Sequence, residues 1–178
     1  SERMCRHFYE DYGLETRVVR YHNIFGPFGT YDGGREKAPA AMCRKIINAK
    51  INKEKAIDVW GDGEQTRTFL YIKDCLEGTM KVFNSDKFNV YNVGSDEQVS
   101  INQMIEIIED IANYKVKKNY QLDKPKGVRG RSSDNTKISK DLGWLPKMKL
   151  REGLELTYNW IYESMTSGDN TSRFTRKY

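Results

Sequence analysis

The chain has 178 residues, a length that suits one domain and can bury a real hydrophobic core. Its composition, 38% hydrophobic and 31% charged, is ordinary for a soluble protein, and no run of about 18 apolar residues offers a membrane span. The net charge of +5 suits an anionic partner: nucleic acid, a membrane surface or a phosphorylated small molecule. The cations are scattered among acids. The tightest cluster, Lys115-Val116-Lys117-Lys118, reads as solvated surface, and no nucleic-acid-binding motif occurs, so neither nucleic acid nor membrane is an expected partner.

Residues 2–12 read as a helix with Met4, Phe8 and Tyr12 at four-residue spacing, ended by Gly13. Thr16 to Tyr21 is a strand. A long loop follows from Asn23 to Lys37, with Gly26-Pro27, Gly29 and Gly33-Gly34. Pro39 opens a helix of about ten residues. Ile57 to Val59 is a short strand, Gly61-Asp62-Gly63 a turn, and Thr66 to Tyr71 another strand. Asp74 to Phe83 is a helix and Tyr91 to Val93 a strand. Ser100 and Gln103 form a capping-box signal for a helix over Ile101–Ala112. Its apolar face is Ile101, Met104, Ile105, Ile108 and Ile111. Lys115 to Leu122 is a short strand, Pro125 to Asp134 a loop rich in Gly and Arg, and Thr136–Leu142 a helix closed by Gly143. Leu150, Leu154, Tyr158, Ile161 and Met165 mark a last long helix. From Thr166 to 178 a polar, disordered tail is expected. Short strands alternating with helices predict an α/β fold.

Cys5, Cys43 and Cys75 match neither a zinc site nor a disulfide framework, and each is expected to be buried and inert. The odd count favours a reducing, cytoplasmic compartment. With only His7 and His22, no metal site is expected. Trp60 and Trp144 read as core packing. The opening Ser1-Glu2-Arg3 lacks both an initiator Met and the apolar stretch of a signal peptide, so the chain is expected to be a piece of a longer one.

Arg20-Tyr21-His22-Asn23-Ile24-Phe25-Gly26-Pro27 resembles a signature of the extended short-chain dehydrogenase/reductase family. Val59 to Arg67, Tyr71-Ile72-Lys73-Asp74, Tyr91 to Gly94 and Asp141 to Pro146 follow in that family's order. Two further stretches, Gly26 to Ala41 and Gly127 to Asn135, are similar to the GDP-mannose 3,5-epimerase branch. The resemblance implies that residues 1–165 are the C-terminal, sugar-nucleotide-binding part of a Rossmann-like fold, with 1–25 ending the Rossmann domain. No Gly-x-Gly-x-x-Gly turn follows a strand here. That fingerprint, the catalytic Cys and the Tyr-x-x-x-Lys pair are expected upstream, so NAD is held mainly outside this chain, which alone is expected to be inactive.

The implied substrate is GDP-mannose or a related nucleotide sugar, inverted at C3 and C5 through a transient 4-ketone. A sibling epimerase, dehydratase or decarboxylase, or a non-catalytic nucleotide-sugar-binding fragment, is the alternative. The resemblance makes Lys37 the proton donor. In general a lysine carries protons near neutrality when burial or a nearby cation favours its uncharged form, and Arg35 is two residues away. Out of context Lys37 is a solvated lysine near a helix start. Asn23, Glu36, Lys37, Ala38, Lys45, Gln65, Thr66, Arg67 and Arg131 are the implied substrate contacts. Arg67, Arg131 and Lys45 are assigned to the diphosphate, since the guanidinium fork fits phosphate oxygens. Arg129 is divided between this role and a surface ion pair. His22 is placed near the nicotinamide, or is a packed strand-end histidine. Asn135 is a ribose contact or a helix cap. A homodimer of the full-length protein is implied through the helix whose end opens this chain.

Overall fold

A computed structural model of the chain describes residues 1–124 and 127–167. Helix α1 (Glu2–Tyr12) stops at Gly13, whose φ of 65° lies in the left-handed region. There the Gly13 N–H donates to the Tyr9 carbonyl, satisfying a group the helix itself leaves open. No residue of α1 is buried, and Met4, Phe8 and Tyr12 form a stripe facing away from the chain's own cores.

The strands pair mainly in parallel. Strand β1 (Val18–Tyr21) lies beside β6 (Val90–Val93), with Val18 opposite Val90. Strand β2 (Ile24–Phe25) lies beside β5 (Leu70–Tyr71), and β3 (Ala56–Trp60) beside β8 (Lys117–Gln121). The exception is β4 (Thr66–Thr68), which is antiparallel to β7 (Gln98–Ser100) and parallel to β9 (Gly130–Arg131). Parallel pairing requires crossovers, and helices supply them.

Helix α2 (Ala38–Asn52), α4 (Ile101–Ala112) and α6 (Leu150–Thr166) enclose the larger core, which includes Phe25, Cys43, Ile46, Ile105, Ile108, Leu154 and Ile161. A smaller core under α3 (Ile72–Phe83) and α5 (Thr136–Leu142) holds Leu70, Tyr91, Val93, Ile138 and Trp144. Ile72 packs against both. Gly78 is required where α3 crosses Trp144: a Cβ there would stand 2.8 Å from the indole.

The capping box of α4 forms in both directions: Ser100 Oγ accepts from the Gln103 N–H, and Gln103 Oε1 accepts from the Ser100 N–H. Several expectations need correction. Helix α2 runs 15 residues, longer than the ten predicted. The strand predicted from Thr66 to Tyr71 breaks at Phe69 into two strands of different sheets. Asn23 causes the break: its side-chain amide donates to the Thr68 carbonyl at 2.9 Å, and its carbonyl accepts the Leu70 N–H at 3.2 Å. Strands β2, β7 and β9 lie in segments not read as strands. Cys43 and Cys75 are buried, but Cys5 rides on α1 and is only partly covered. Trp144 is 1% exposed as expected of a core residue, whereas Trp60 is 55% exposed. Thr166 ends α6 rather than opening a tail; of the expected tail, 168–178 lie outside the described residues, as do Pro125 and Lys126.

Candidate functional site

The segment entering α2 separates two clefts. Lys37 is the N-cap of α2 and is extended, with φ −78° and ψ 157°. Extended backbone sends successive side chains to opposite sides. Gly34, Glu36 and Ala38 accordingly line one cleft of about 390 Å³, and Arg35 and Lys37 line the other, of about 710 Å³. Glu36, Lys37 and Ala38 are each implied substrate contacts; the fold places Lys37 on the far side from its neighbours.

The smaller cleft gathers Glu36, Ala38, Lys45 and Gln65, together with Arg44 and Trp60, which sequence reasoning did not assign to the site. Lys45 Nζ donates to the Asp58 carbonyl at 2.6 Å. Burial holds this amine below the usual lysine range, opposed by the Asp58 carboxylate. Gln65 is 9% exposed. Its amide nitrogen donates to the Trp60 carbonyl at 3.2 Å, while its side-chain oxygen has no partner among the described residues. An unpaired buried acceptor costs about 1–3 kcal/mol, so this oxygen favours a ligand that brings an N–H or O–H. The period-2 pattern of β3 could have exposed Trp60: Ile57 and Val59 point inward, so Asp58 and Trp60 point out.

The larger cleft is mostly apolar, walled by Phe25, Pro27, Phe28, Tyr71, Ile72 and Leu76. Lys37 and Arg35 are its cations, and neither has a carboxylate within 4.0 Å among the described residues. Phe28 and Tyr31, from the loop before Lys37, each pack on the Trp160 ring with centroids 5.5 Å apart.

Arg67 and Arg131 are direct partners in the β4–β9 pair, and Thr66 pairs with Gly130. Like charges placed side by side on neighbouring strands repel. Neither guanidinium has a carboxylate within 4.0 Å among the described residues, so an anion is the natural complement. Gly127 closely approaches this site: a Cβ there would lie 3.3 Å from Arg67 Nη2. Arg129 instead pairs with Asp62 at 2.8 Å. Asn135 is no side-chain cap: its amide donates to the Gly94 carbonyl, and Asp134 accepts the Thr136 N–H instead.

His22 and Asn23 follow β1, with the His22 N–H donated to the Val93 carbonyl at 3.2 Å. Gly94 sits against His22; a Cβ on that glycine would stand 2.8 Å from the His22 Cβ. His22 lines neither cleft. No described strand-to-helix turn carries the glycine fingerprint that cradles a dinucleotide pyrophosphate, so these residues do not by themselves fit NAD.

The family model described as GDP-mannose 4,6 dehydratase matches residues 1–157. The chain is 49% identical over 165 residues to GDP-mannose 3,5-epimerase 1 of Oryza sativa subsp. indica, and 47% identical to GDP-mannose 3,5-epimerase of Arabidopsis thaliana. Each match covers 93% of this chain and 42% of the relative, so the chain spans less than half the length of these curated relatives. The crystal structure of UDP-glucose 4-epimerase with UDP-glucose from Thermotoga maritima superposes with a TM-score of 0.83 at 28% identity, covering 92% of this chain and 51% of that one. The chain belongs to the GDP-mannose 4,6 dehydratase family, among the nucleotide-sugar epimerases and dehydratases built on the short-chain dehydrogenase/reductase fold.

Proposed function

We propose that this chain is the substrate-binding part of a GDP-mannose 3,5-epimerase, with Lys37 as its proton donor. The observation that carries the reading is the position of Lys37: an N-cap cation without a carboxylate partner among the described residues, aimed into the larger cleft. The 49% identity to the rice enzyme supports the choice of reaction.

When bound, NAD supplies the reversible oxidation of the mannose C4 hydroxyl to a ketone. A ketone acidifies the hydrogens on C3 and C5. At each carbon, a base on one face removes a proton and Lys37, on the other, returns one, so the carbon inverts without net loss of hydrogen. Glu36, Ala38, Lys45 and Gln65 hold a non-reacting part of the substrate in the smaller cleft, while Arg67 and Arg131, with Thr66, meet the diphosphate across β4 and β9. Asn23 contacts the sugar from the end of β1. NAD would be held mainly by an upstream half, with His22 beside the nicotinamide.

The exposed stripe of Met4, Phe8 and Tyr12 supports a homodimer through α1 in the full-length protein. The three free cysteines suit a cytoplasmic setting, and no described helix is long and apolar enough to cross a membrane. The test uses the longest native chain containing this segment, with NAD and GDP-mannose in deuterated water. NMR should find deuterium at C3 and C5 with hydrogen retained at C4. No exchange at either carbon rules the reaction out.

A further inference from the structure

We propose that Arg44 is a positioning residue for the proposed proton donor, acting on Lys37 through Glu36. The inference rests on the role given to Lys37 above.

Residues 26–37 contain no regular secondary structure and include Gly33 and Gly34 at φ 91° and 84°. Such a segment does not fix its own direction. It ends at Lys37, whose side chain points wherever the incoming backbone sets it. Arg44 lies seven residues further on in α2 and lines the smaller cleft beside Glu36. Its guanidinium reaches back toward the start of the helix and grips the loop. Nε donates to the Tyr31 carbonyl at 2.8 Å, and Nη2 to Glu36 Oε1 at 3.0 Å. Asp32 Oδ1 stands 3.6 Å from Nε. The other Glu36 oxygen accepts the Gly34 N–H at 2.7 Å. One planar cation therefore ties residues 31, 32 and 36 to the helix that Lys37 begins.

The clamp is protected from water. The Arg44 and Glu36 side chains are 22% and 11% exposed, so their ion pair escapes much of the screening a surface pair suffers. On the other side of Lys37, its own carbonyl accepts the Ala41 N–H at 3.0 Å. The backbone of Lys37 is thus held from both directions, and only one of those holds depends on a side chain.

The same geometry gives Glu36 a second consequence. Its carboxylate lines the smaller cleft, yet both oxygens are already engaged. A substrate group that meets Glu36 there must share it with Arg44. Occupancy of the smaller cleft is thereby transmitted across the extended segment to Lys37 in the larger one. Binding energy from the non-reacting part of the substrate would then be used to align the proton donor.

The experiment compares the full-length native protein with Arg44→Gln and Arg44→Lys, each with NAD and GDP-mannose in deuterated water. Three quantities are read: deuterium entry at C3 and C5, the transient absorbance of reduced nicotinamide, and the unfolding temperature. Misplacement by about 1 Å costs about a hundredfold, so Arg44→Gln should slow deuterium entry by about that factor. The rate of hydride transfer should hold. Arg44→Lys keeps the charge but loses the fork, and should not restore the rate. Should Arg44→Gln fail to fold, the milder Arg44→Lys carries the comparison. Unchanged deuterium entry in the variants overturns the inference while leaving the epimerase reading intact. A fall of all rates together with the unfolding temperature also overturns it, since that marks a merely structural residue. No exchange in the unsubstituted protein sinks the epimerase reading, and this inference with it.

Discussion

Asp74 offers a test of how the two ends of the fold are joined. It stands in the first turn of α3 and is 5% exposed. Its Oδ2 accepts two backbone N–H groups, from Lys147 at 2.9 Å and Met148 at 2.8 Å. Those donors belong to the segment that runs from the Trp144 core into α6, so one carboxylate holds the entry to α6 against α3. A hydrogen bond to a charged group contributes about 1.5–3 kcal/mol net, and the lower figure suits these partly buried donors. Asp74→Ala removes the acceptor and strands both N–H groups, for an expected loss of about 3 kcal/mol. Asp74→Asn keeps a carbonyl oxygen in place and should lose about 1 kcal/mol. At this chain size 1 kcal/mol moves Tm by about 2–4 °C, so Asp74→Ala should lower it by about 6–12 °C. Thermal and urea unfolding of the 178-residue chain would measure both variants. Equal losses for Ala and Asn, or a negligible loss for Ala, would refute the idea that this carboxylate acts as a tie.

Two further predictions concern pH and ligand binding. The Tyr158 hydroxyl is buried without a partner among the described residues, and burial pushes its pKa up to about 12. A raised folded value favours the fold while the unfolded tyrosine, near 10, keeps its proton; that advantage is lost as pH climbs through about 12. Tyr158→Phe should therefore hold or raise stability at neutral pH and flatten the alkaline loss, as urea midpoints across pH would record. Arg131→Ala should weaken GDP binding to the full-length protein by about ten- to a hundredfold, the worth of one charge-assisted contact. Arg129→Ala, whose guanidinium is already paired with Asp62, should change it little by titration calorimetry.

What was legible in the sequence was whatever a local pattern defines. The apolar spacing and caps of α1 and α4 sit within the residues that form them, and both ends of α4 fall where Ser100 and the apolar face of Ile101–Ala112 place them. Strands β2, β7 and β9 are two or three residues long and exist because of partners far away in the chain. No local signal marks such strands. The break at Phe69 needed Asn23, more than forty positions earlier, to enter between the two pieces. For the site, residue types suggested the cations, but only the extended backbone before α2 shows that Glu36 and Lys37 face different clefts. Arg44 gave no signal at all, because an arginine inside a helix is ordinary until the loop it holds is known.

The placement of the tryptophans has an optical consequence. Trp144 lies in the smaller core against Gly78, Trp60 stands at the wall of the smaller cleft, and Trp160 supports Phe28 and Tyr31 of the loop. Indole emission shifts to longer wavelength as water reaches the ring. Replacing two of the three by Phe leaves a single lamp in a known room. Trp144 would then report the melting of one core, Trp60 the arrival of a ligand, and Trp160 the movement of the segment that leads to Lys37, with no dye attached.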